Sequence, residues 1–151
     1  MRNLEKILIE HFFFKGMSDE HIRTLCGCAS NARFRPGTYL FREGSSADTF
    51  YCVRTGIVSL EIYSPGKGPI QIDSRSVDEV VGWSWMVPPY TWYCDARVVD
   101  EVRAIALDGR CLRGKCEKDV ALGYELYTRF VPLMHRALEA TRLQLLDVYG
   151  A

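Results

Sequence analysis

The chain has 151 residues, 48% of them hydrophobic and 25% charged, and its 19 Lys and Arg residues balance 19 Asp and Glu residues. This length and composition are those of a single globular domain spanning residues 1–151, and no apolar run approaches the roughly 18 residues of a membrane span. Because a neutral chain lacks the basic field that attracts nucleic acids, direct DNA binding by this chain alone is not expected.

The first segment, residues 1–28, is predicted to be helical. From Asn3 to about Phe14, the positions Leu4, Ile7, Leu8, His11 and Phe12 follow helical spacing. A second short helix is predicted to begin at Ser18, a residue type that commonly caps helices. Charged residues interrupt the apolar ones in MRNLEKILIEHFFFKG, so this stretch does not read as a secretory signal. The sequence therefore predicts a cytoplasmic protein.

Between residues 29 and 108 the chain changes to short runs rich in aromatic and β-branched residues, namely TYLF, TFYCV, IVSLEIY, PIQIDSR and VRAIAL. This alternation of short runs and turns predicts a mainly β sandwich or barrel of antiparallel strands. The turn signals between the runs are Pro36-Gly37, Glu43-Gly44, Gly56 and Pro65-Gly66.

Residues 109–151 are predicted to be helical again, and the last helix carries two separate apolar stripes. The first has the 3-4-3-4 spacing of a coiled-coil seam, so the helix can cover its own β-domain and still contact a second copy. Burial of one wide face within a single subunit is the alternative. The seam spacing starts at Tyr124, and the predicted dimer stripe within it consists of Tyr127, Val131, Met134, Leu138, Thr141, Leu145 and Val148. The second stripe consists of Leu126, Phe130, Leu133, Ala137 and Ala140.

Six cysteines are present, but no CxxC motif occurs. In a chain without an export signal we expect these cysteines to be reduced, free thiols. A redox or iron–sulfur sensor is the alternative, and it would need three or four thiols from Cys26-x-Cys28 and Cys111-x4-Cys116 to converge. The cysteines are Cys26, Cys28, Cys52, Cys94, Cys111 and Cys116.

The stretch RFRPGTYLFREGSSADTFYCVRTGIVSLEIY resembles the front half of a cyclic-nucleotide-binding domain of the catabolite-activator type. Gly37, Gly44 and Gly56 carry most of this resemblance, because such turns need positive backbone φ. The resemblance implies an antiparallel jelly roll, or double-stranded β-helix, of about eight strands, with a ligand cassette and a dimerising, signalling C-terminal helix. Activator-type relatives carry a helix-turn-helix domain after that helix. If the protein is complete at Ala151, any DNA-binding role is expected to need a partner; a chain cut from a longer regulator is the alternative.

The family's cassette begins with Gly-Glu at a short helix and contains an Arg followed by small residues. The Arg and the helix N–H groups bind the cyclic phosphate, and the Glu accepts a hydrogen bond from the ribose. The corresponding stretch here is VGWSWMVPPYTWYCDARVV, residues 81–99. Gly82 matches the glycine, but Trp83 stands in the place of the Glu, so the chain resembles a divergent branch with GWSW and PPY elements in the cassette.

The cassette Arg is also missing. It should fall near Tyr90, Thr91 or Trp92, and Arg97 could replace it only if residues are inserted before it and deleted after it. Charge-assisted hydrogen bonds contribute about 1.5–3 kcal/mol each, so losing two weakens binding by about two to four orders of magnitude. We therefore expect weak or absent binding of cAMP and cGMP.

The cassette tryptophans have three interpretations. Their rings can fill the nucleotide space themselves; they can line a cavity for a nucleotide or another planar metabolite; or Arg97 can support true cyclic nucleotide binding. In the second interpretation Ser84, Thr91 and Arg97 are the polar fixing groups, while an exposed ion pair between Arg97 and Asp95 is the simplest role for that arginine. The candidate ligand-binding residues are Gly82, Trp83, Ser84, Trp85, Thr91, Trp92 and Arg97.

No motif indicates an enzyme, cofactor or metal site. The chain has no nucleophile elbow, P-loop or HExxH motif, and His11, His21 and His135 lie on predicted helices, not on strands as a cupin site requires. The sequence thus predicts a non-enzymatic sensor domain that works in signal transduction, akin to transcription regulators, in which a ligand at residues 82–99 shifts the long helix. A protein-interaction and dimerisation module with a filled pocket is the alternative.

Overall fold

The computed structural model describes residues 2–150. Their contacts form one compact unit that ends at Lys115 and a second that begins at Cys116. The single-domain organisation stays a prediction. The elements are α1 (Arg2–Glu10), α2 (Asp19–Cys26), β1 (Ala29–Phe34), β2 (Tyr39–Phe41), β3 (Thr49–Ser64), β4 (Gly68–Arg75), β5 (Val80–Val81), β6 (Asp95–Asp108), α3 (Gly109–Lys118) and α4 (Val120–Gly150), with single 3-10 turns at Phe12–Phe14 and Ser84–Met86.

A buried histidine follows the first helix and connects this part of the chain to β3. The first helix is shorter than predicted, because His11 leaves it and its Nδ1 accepts the N–H of Phe13 at 3.2 Å, which caps the following 3-10 turn. Its Nε2 then donates to the carbonyl oxygen of Val53, 2.9 Å away, and burial lowers the pKa of this imidazole. The predicted helix start at Ser18 is confirmed, since its hydroxyl accepts the N–H of His21 at 3.2 Å.

The strands form one antiparallel sheet in the order β1-β6-β3-β4, with β2 paired to β6 and β5 paired to β3. There are six strands instead of about eight in the part of the chain that the structure describes. The runs TFYCV and IVSLEIY, predicted as separate strands, join into the 16-residue β3, and β6 has 14 residues. Gly56 therefore is not a turn between strands but a residue with φ +101° inside β3, where the pairing with β6 shifts register.

Alternate residues of β3 and β6 point to the inner face of the sheet, as the two-residue period of a strand requires. The same apolar cluster contains Trp92 from the cassette segment, so that segment contributes directly to the core. The cluster consists of Phe41, Ala47, Val53, Val58, Leu60, Val81, Trp92, Cys94, Ala96, Val98, Val102 and Ala104.

The expectation of six free thiols is wrong for Cys28 and Cys111, which form a disulfide across 83 residues of chain, with a Cα–Cα distance of 5.8 Å. The pairing of Ala29 with Leu107 brings the end of α2 next to the start of α3. Because strand register creates this proximity, residue spacing could not reveal it. The other four cysteines are free.

The unit that begins at Cys116 contains α4, a helix of 31 residues with Pro132 in its interior. Its two stripes differ in burial. In the second stripe Leu126 and Phe130 are fully buried, whereas the apolar members of the dimer stripe other than Met134 are 49–75% exposed. Met134 is half-buried and Thr141 is exposed. None of the helices within residues 2–150 combines the length and apolar character that crossing a bilayer requires.

Candidate functional site

The part of the cassette that connects β5 to β6, residues 82–94, contains no α-helix. A single 3-10 turn, Ser84–Met86, stands where the family's cassette helix is expected. The backbone N–H groups of Met86, Val87, Tyr90 and Trp92 donate to backbone carbonyl oxygens at 2.8–3.2 Å. These donors are already used within the protein, so they do not form the cradle of free N–H groups that binds a phosphate.

Trp92 occupies the inner side of this segment. Its ring is stacked on Phe41, with centroids 3.7 Å apart and planes 7° apart, and the residue is only 4% exposed. Gly82 lies directly against it: a Cβ on Gly82 would be 2.6 Å from the Trp92 ring, and the φ of +96° is one that glycine adopts without strain. A glycine at position 82 therefore leaves room for the Trp92 indole.

The other two tryptophans lie elsewhere. Trp85 is 2% exposed and stacked on Phe50, with ring centroids 5.0 Å apart, whereas Trp83 is half-buried beside Tyr93, at 6.0 Å. The three indoles thus contact three different aromatic partners. They do not converge as the walls of one cavity.

The cleft beside Trp92 is small. Its volume is ≈ 150 Å³, whereas pockets for drug-sized ligands measure about 300–1,000 Å³. The predicted polar groups Ser84, Thr91 and Arg97 do not line it. Ser84 is buried and Thr91 is exposed, forming an isolated β-bridge with Ser46. The lining residues are Leu40, Phe41, Ser45, Ser46, Asp48, Thr49, Tyr51 and Trp92.

Arg97 lies in β6 and points away from Trp92. Its neighbours Ala96 and Val98 belong to the core cluster, so the strand alternation directs Arg97 to the opposite face of the sheet. The structure therefore separates this predicted ligand residue from the indole that was predicted to share its pocket.

The Arg97 guanidinium is bound to Glu61 on that face. Its Nε lies 3.2 Å from both carboxylate oxygens and its Nη2 lies 2.8 Å from Oε2, which also accepts the Ser59 hydroxyl at 2.8 Å. Glu61 is 4% exposed, and the hydrogen bond from Arg97 lowers the pKa of this carboxyl. Removing the arginine would leave a nearly buried carboxylate without its partner, so Arg97 has a structural task.

The predicted ion pair between Arg97 and Asp95 is wrong. Asp95 instead accepts the N–H of Glu43 at 2.7 Å and the Nε of Arg42 at 3.3 Å. The partner differs because Arg97 sits diagonally across from Glu61 on the paired strand, where a side chain of its length reaches the carboxylate.

The contact of Arg113 with the cassette was not predicted from the sequence. From α3, Arg113 donates through Nη1 to the carbonyl oxygen of Trp85 at 2.6 Å and through Nη2 to Asp48 at 3.3 Å. Its guanidinium carbon also lies 4.2 Å from the centre of the Tyr90 ring, a cation–π contact. Arg113 thereby joins the cassette to α3. Because Arg113 is far from the cassette in the sequence and lies in no motif, this contact could not be predicted.

Among the side chains that the structure describes, no three His, Cys, Asp or Glu residues come together in a way that could hold a metal ion. The iron–sulfur alternative therefore has no ligand set within residues 4–150.

A family model described as cyclic nucleotide-binding domain matches residues 32–119. The structure is similar to that of a candidate cyclic nucleotide-binding protein from Geobacter metallireducens, with a TM-score of 0.79 and 26% identity over 91% of this chain and 99% of that chain. It is also similar to the sensor domain of the transcriptional regulator DNR from Pseudomonas aeruginosa, with a TM-score of 0.72 and 16% identity over 91% and 93% of the two chains. The regulatory subunit of a cAMP-independent protein kinase A from Trypanosoma cruzi bound to guanosine gives a TM-score of 0.72 and 15% identity over 99% of this chain and 51% of that chain. The predicted jelly roll with N-terminal helices and a long C-terminal helix is confirmed.

Proposed function

Because the chain belongs to the cyclic nucleotide-binding domain family, we propose that it is a cytoplasmic, non-enzymatic sensor domain that binds cAMP and cGMP weakly or not at all. One observation carries this proposal: the Trp92 indole packs on Phe41 at the inner side of the cassette and leaves a cleft of ≈ 150 Å³. In this proposal the ring fills the space of a nucleotide.

The electrostatics of the cassette support the same conclusion. Arg97 forms its hydrogen bonds with Glu61 on the other face of the sheet, and Arg113 is bound to the carbonyl oxygen of Trp85 and to Asp48. Binding a cyclic phosphate through either of these guanidinium groups would require it to leave its present partners. The corresponding loss of charge-assisted hydrogen bonds is about 1.5–3 kcal/mol for each bond.

We expect cAMP, cGMP and guanosine to show no saturable binding below about 1 mM, a limit that corresponds to about −4 kcal/mol. Isothermal titration calorimetry and thermal shift measure this directly. Guanosine belongs in the panel because the similar Trypanosoma cruzi subunit is bound to it.

Micromolar cAMP binding that Arg97→Ala abolishes would contradict the proposal and establish Arg97 as a phosphate ligand. The matched control is Arg33→Ala, which removes an exposed Arg–Glu pair with Glu101 on β1 and β6, away from the cassette. Micromolar guanosine binding alone would instead favour the planar-metabolite interpretation.

The proposal includes a homodimer formed by the dimer stripe. A helix of 31 residues is roughly 46 Å long, and along it Val131, Leu138 and Leu145 are 49–57% exposed. Apolar side chains repeated at a coiled-coil spacing favour a second copy of the same helix as their partner. In this arrangement the dimer presents the cassette's state to downstream proteins, including any DNA-binding partner.

We expect Leu138→Glu to convert a dimer into a monomer, because it places two carboxylates opposite each other in an apolar seam. Sedimentation velocity at micromolar concentration measures the change. Leu143→Glu is the matched control: Leu143 is also exposed, yet it lies off both stripes, so this variant should remain dimeric. A monomeric wild-type chain would contradict the dimer.

A further inference from the structure

The disulfide joins the segment after α2 to the first turn of α3. Cys28 lies two residues after the end of α2, and Cys111 is the third residue of α3. Two residues later on the same helix, Arg113 holds the carbonyl oxygen of Trp85 and the ring of Tyr90. One covalent bond thus fixes the turn of α3 that also carries the contact with the cassette.

The two sulfurs differ in exposure. Cys111 is half-buried, whereas Cys28 is 7% exposed and lines the wall of a cleft of ≈ 340 Å³ together with Asp48, Asp108 and Arg110 among others. Thiol–disulfide exchange requires an attacking thiolate to reach a sulfur, and a cleft of this size admits a small dithiol.

The four free cysteines are poor internal nucleophiles toward this bond. Burial raises the pKa of Cys94 to about 12, and burial also raises the pKa of Cys26, Cys52 and Cys116. Since the thiolate is the reactive form, these residues contribute little nucleophile near neutral pH. The expected attacking group at the Cys28–Cys111 bond is therefore an external dithiol.

We propose that the Cys28–Cys111 disulfide is a thiol-reversible lock that holds α3, and with it Arg113, against the cassette. This inference rests on the proposed sensor function and deepens it, because redox state becomes an input to the same cassette. A dithiol supplies the two electrons: one thiolate attacks a sulfur of the bond, releases the other cysteine as a thiolate and forms a mixed disulfide. The second thiol of the reagent, as thiolate, then attacks the reagent's own sulfur in that mixed disulfide and releases the remaining cysteine thiolate. The products are two protonated cysteine thiols and the oxidised, cyclic disulfide of the reagent.

Hydrogen exchange measured by mass spectrometry tests the lock on the full chain, oxidised or reduced with dithiothreitol. We expect reduction to speed amide exchange at least about tenfold in residues 84–92 and 109–115. Amide exchange in the strands of the sheet should be unchanged. Cys28→Ser and Cys111→Ser should exchange like the reduced protein and no longer respond to dithiothreitol. Cys116→Ser, on the same helix but outside the bond, should respond like the wild type.

A second variant separates the effect of the disulfide on α3 from the effect of Arg113 on the cassette. Arg113→Gln in the oxidised protein should speed exchange in the cassette but leave residues 109–115 slow, because the bond still pins α3. The lock is overturned if oxidised and reduced wild type exchange equally in both segments, if iodoacetamide labels Cys28 and Cys111 in the unreduced protein, or if reduction unfolds the whole chain by circular dichroism. The oxidised-versus-reduced comparison uses no nucleotide, so its failure is distinct from a positive result in the ligand panel.

Discussion

Replacing Trp92 with alanine is expected to lower the free energy of unfolding by about 3–5 kcal/mol, the range for a large aromatic side chain deleted from a core. Trp92 is 4% exposed and its ring contacts Phe41 at 3.7 Å, so the vacated volume cannot be filled by solvent-facing neighbours. Urea unfolding measures the loss. Indole should then raise the melting temperature of the variant but not of the wild type, because it refills the space.

Trp83→Ala is the matched control for this change. Trp83 is half-buried and its ring lies 6.0 Å from that of Tyr93, so its loss should lower stability by about 1 kcal/mol. An equal effect of the two substitutions would mean that Trp92 is not the residue that fills the cassette. We do not expect Trp92→Ala to bind cAMP at micromolar concentration, because Arg97 remains on the other face of the sheet.

Gly82→Ala tests the contact between residue 82 and the Trp92 ring. The added Cβ would lie 2.6 Å from the Trp92 ring, so this variant should be strongly destabilised in the wild-type background. Combined with Trp92→Ala, the clash disappears and the cost falls to the roughly 1–2 kcal/mol of a left-handed backbone. Strict additivity of the two substitutions would show that residue 82 and the indole do not touch.

Gly56→Ala is expected to prevent folding or to destabilise the protein by more than about 4 kcal/mol, an exceptional effect for one methyl group. The φ of Gly56 is +101°, and an added Cβ would collide with the carbonyl oxygen of Glu101 and lie 2.8 Å from the Cα of Val102. These are backbone atoms of β6, which cannot rotate away as a side chain does. Soluble yield and urea unfolding measure the effect.

Gly66→Ala provides the matched control for Gly56→Ala. Gly66 has a φ of +85°, but nothing lies within 4 Å of its would-be Cβ. Only the backbone cost remains, about 1–2 kcal/mol. If both substitutions have the same effect, the close approach of β3 and β6 at Gly56 is absent and only the positive φ matters.

The order of helices, strands and helices follows from local sequence. Hydrophobic periodicity and turn residues act over a few positions, so the helix cap at Ser18 and the positive φ at Gly37 and Gly44 are readable without any tertiary contact. The predicted turn at Gly56 failed in one respect, because the pairing of β3 with β6 carries the chain through that residue as one strand.

The site depends on contacts that no local pattern records. Arg97 reaches Glu61 across 36 positions, Arg113 reaches Trp85 across 28, and Cys28 meets Cys111 across 83. Residue types alone allowed each of these groups several partners. Strand register decided the pairings of Arg97 with Glu61 and of Cys28 with Cys111, because shifting a strand by one residue turns every side chain to the opposite face and exchanges all of its neighbours. The position of α3 beside the 3-10 turn decided the contact of Arg113.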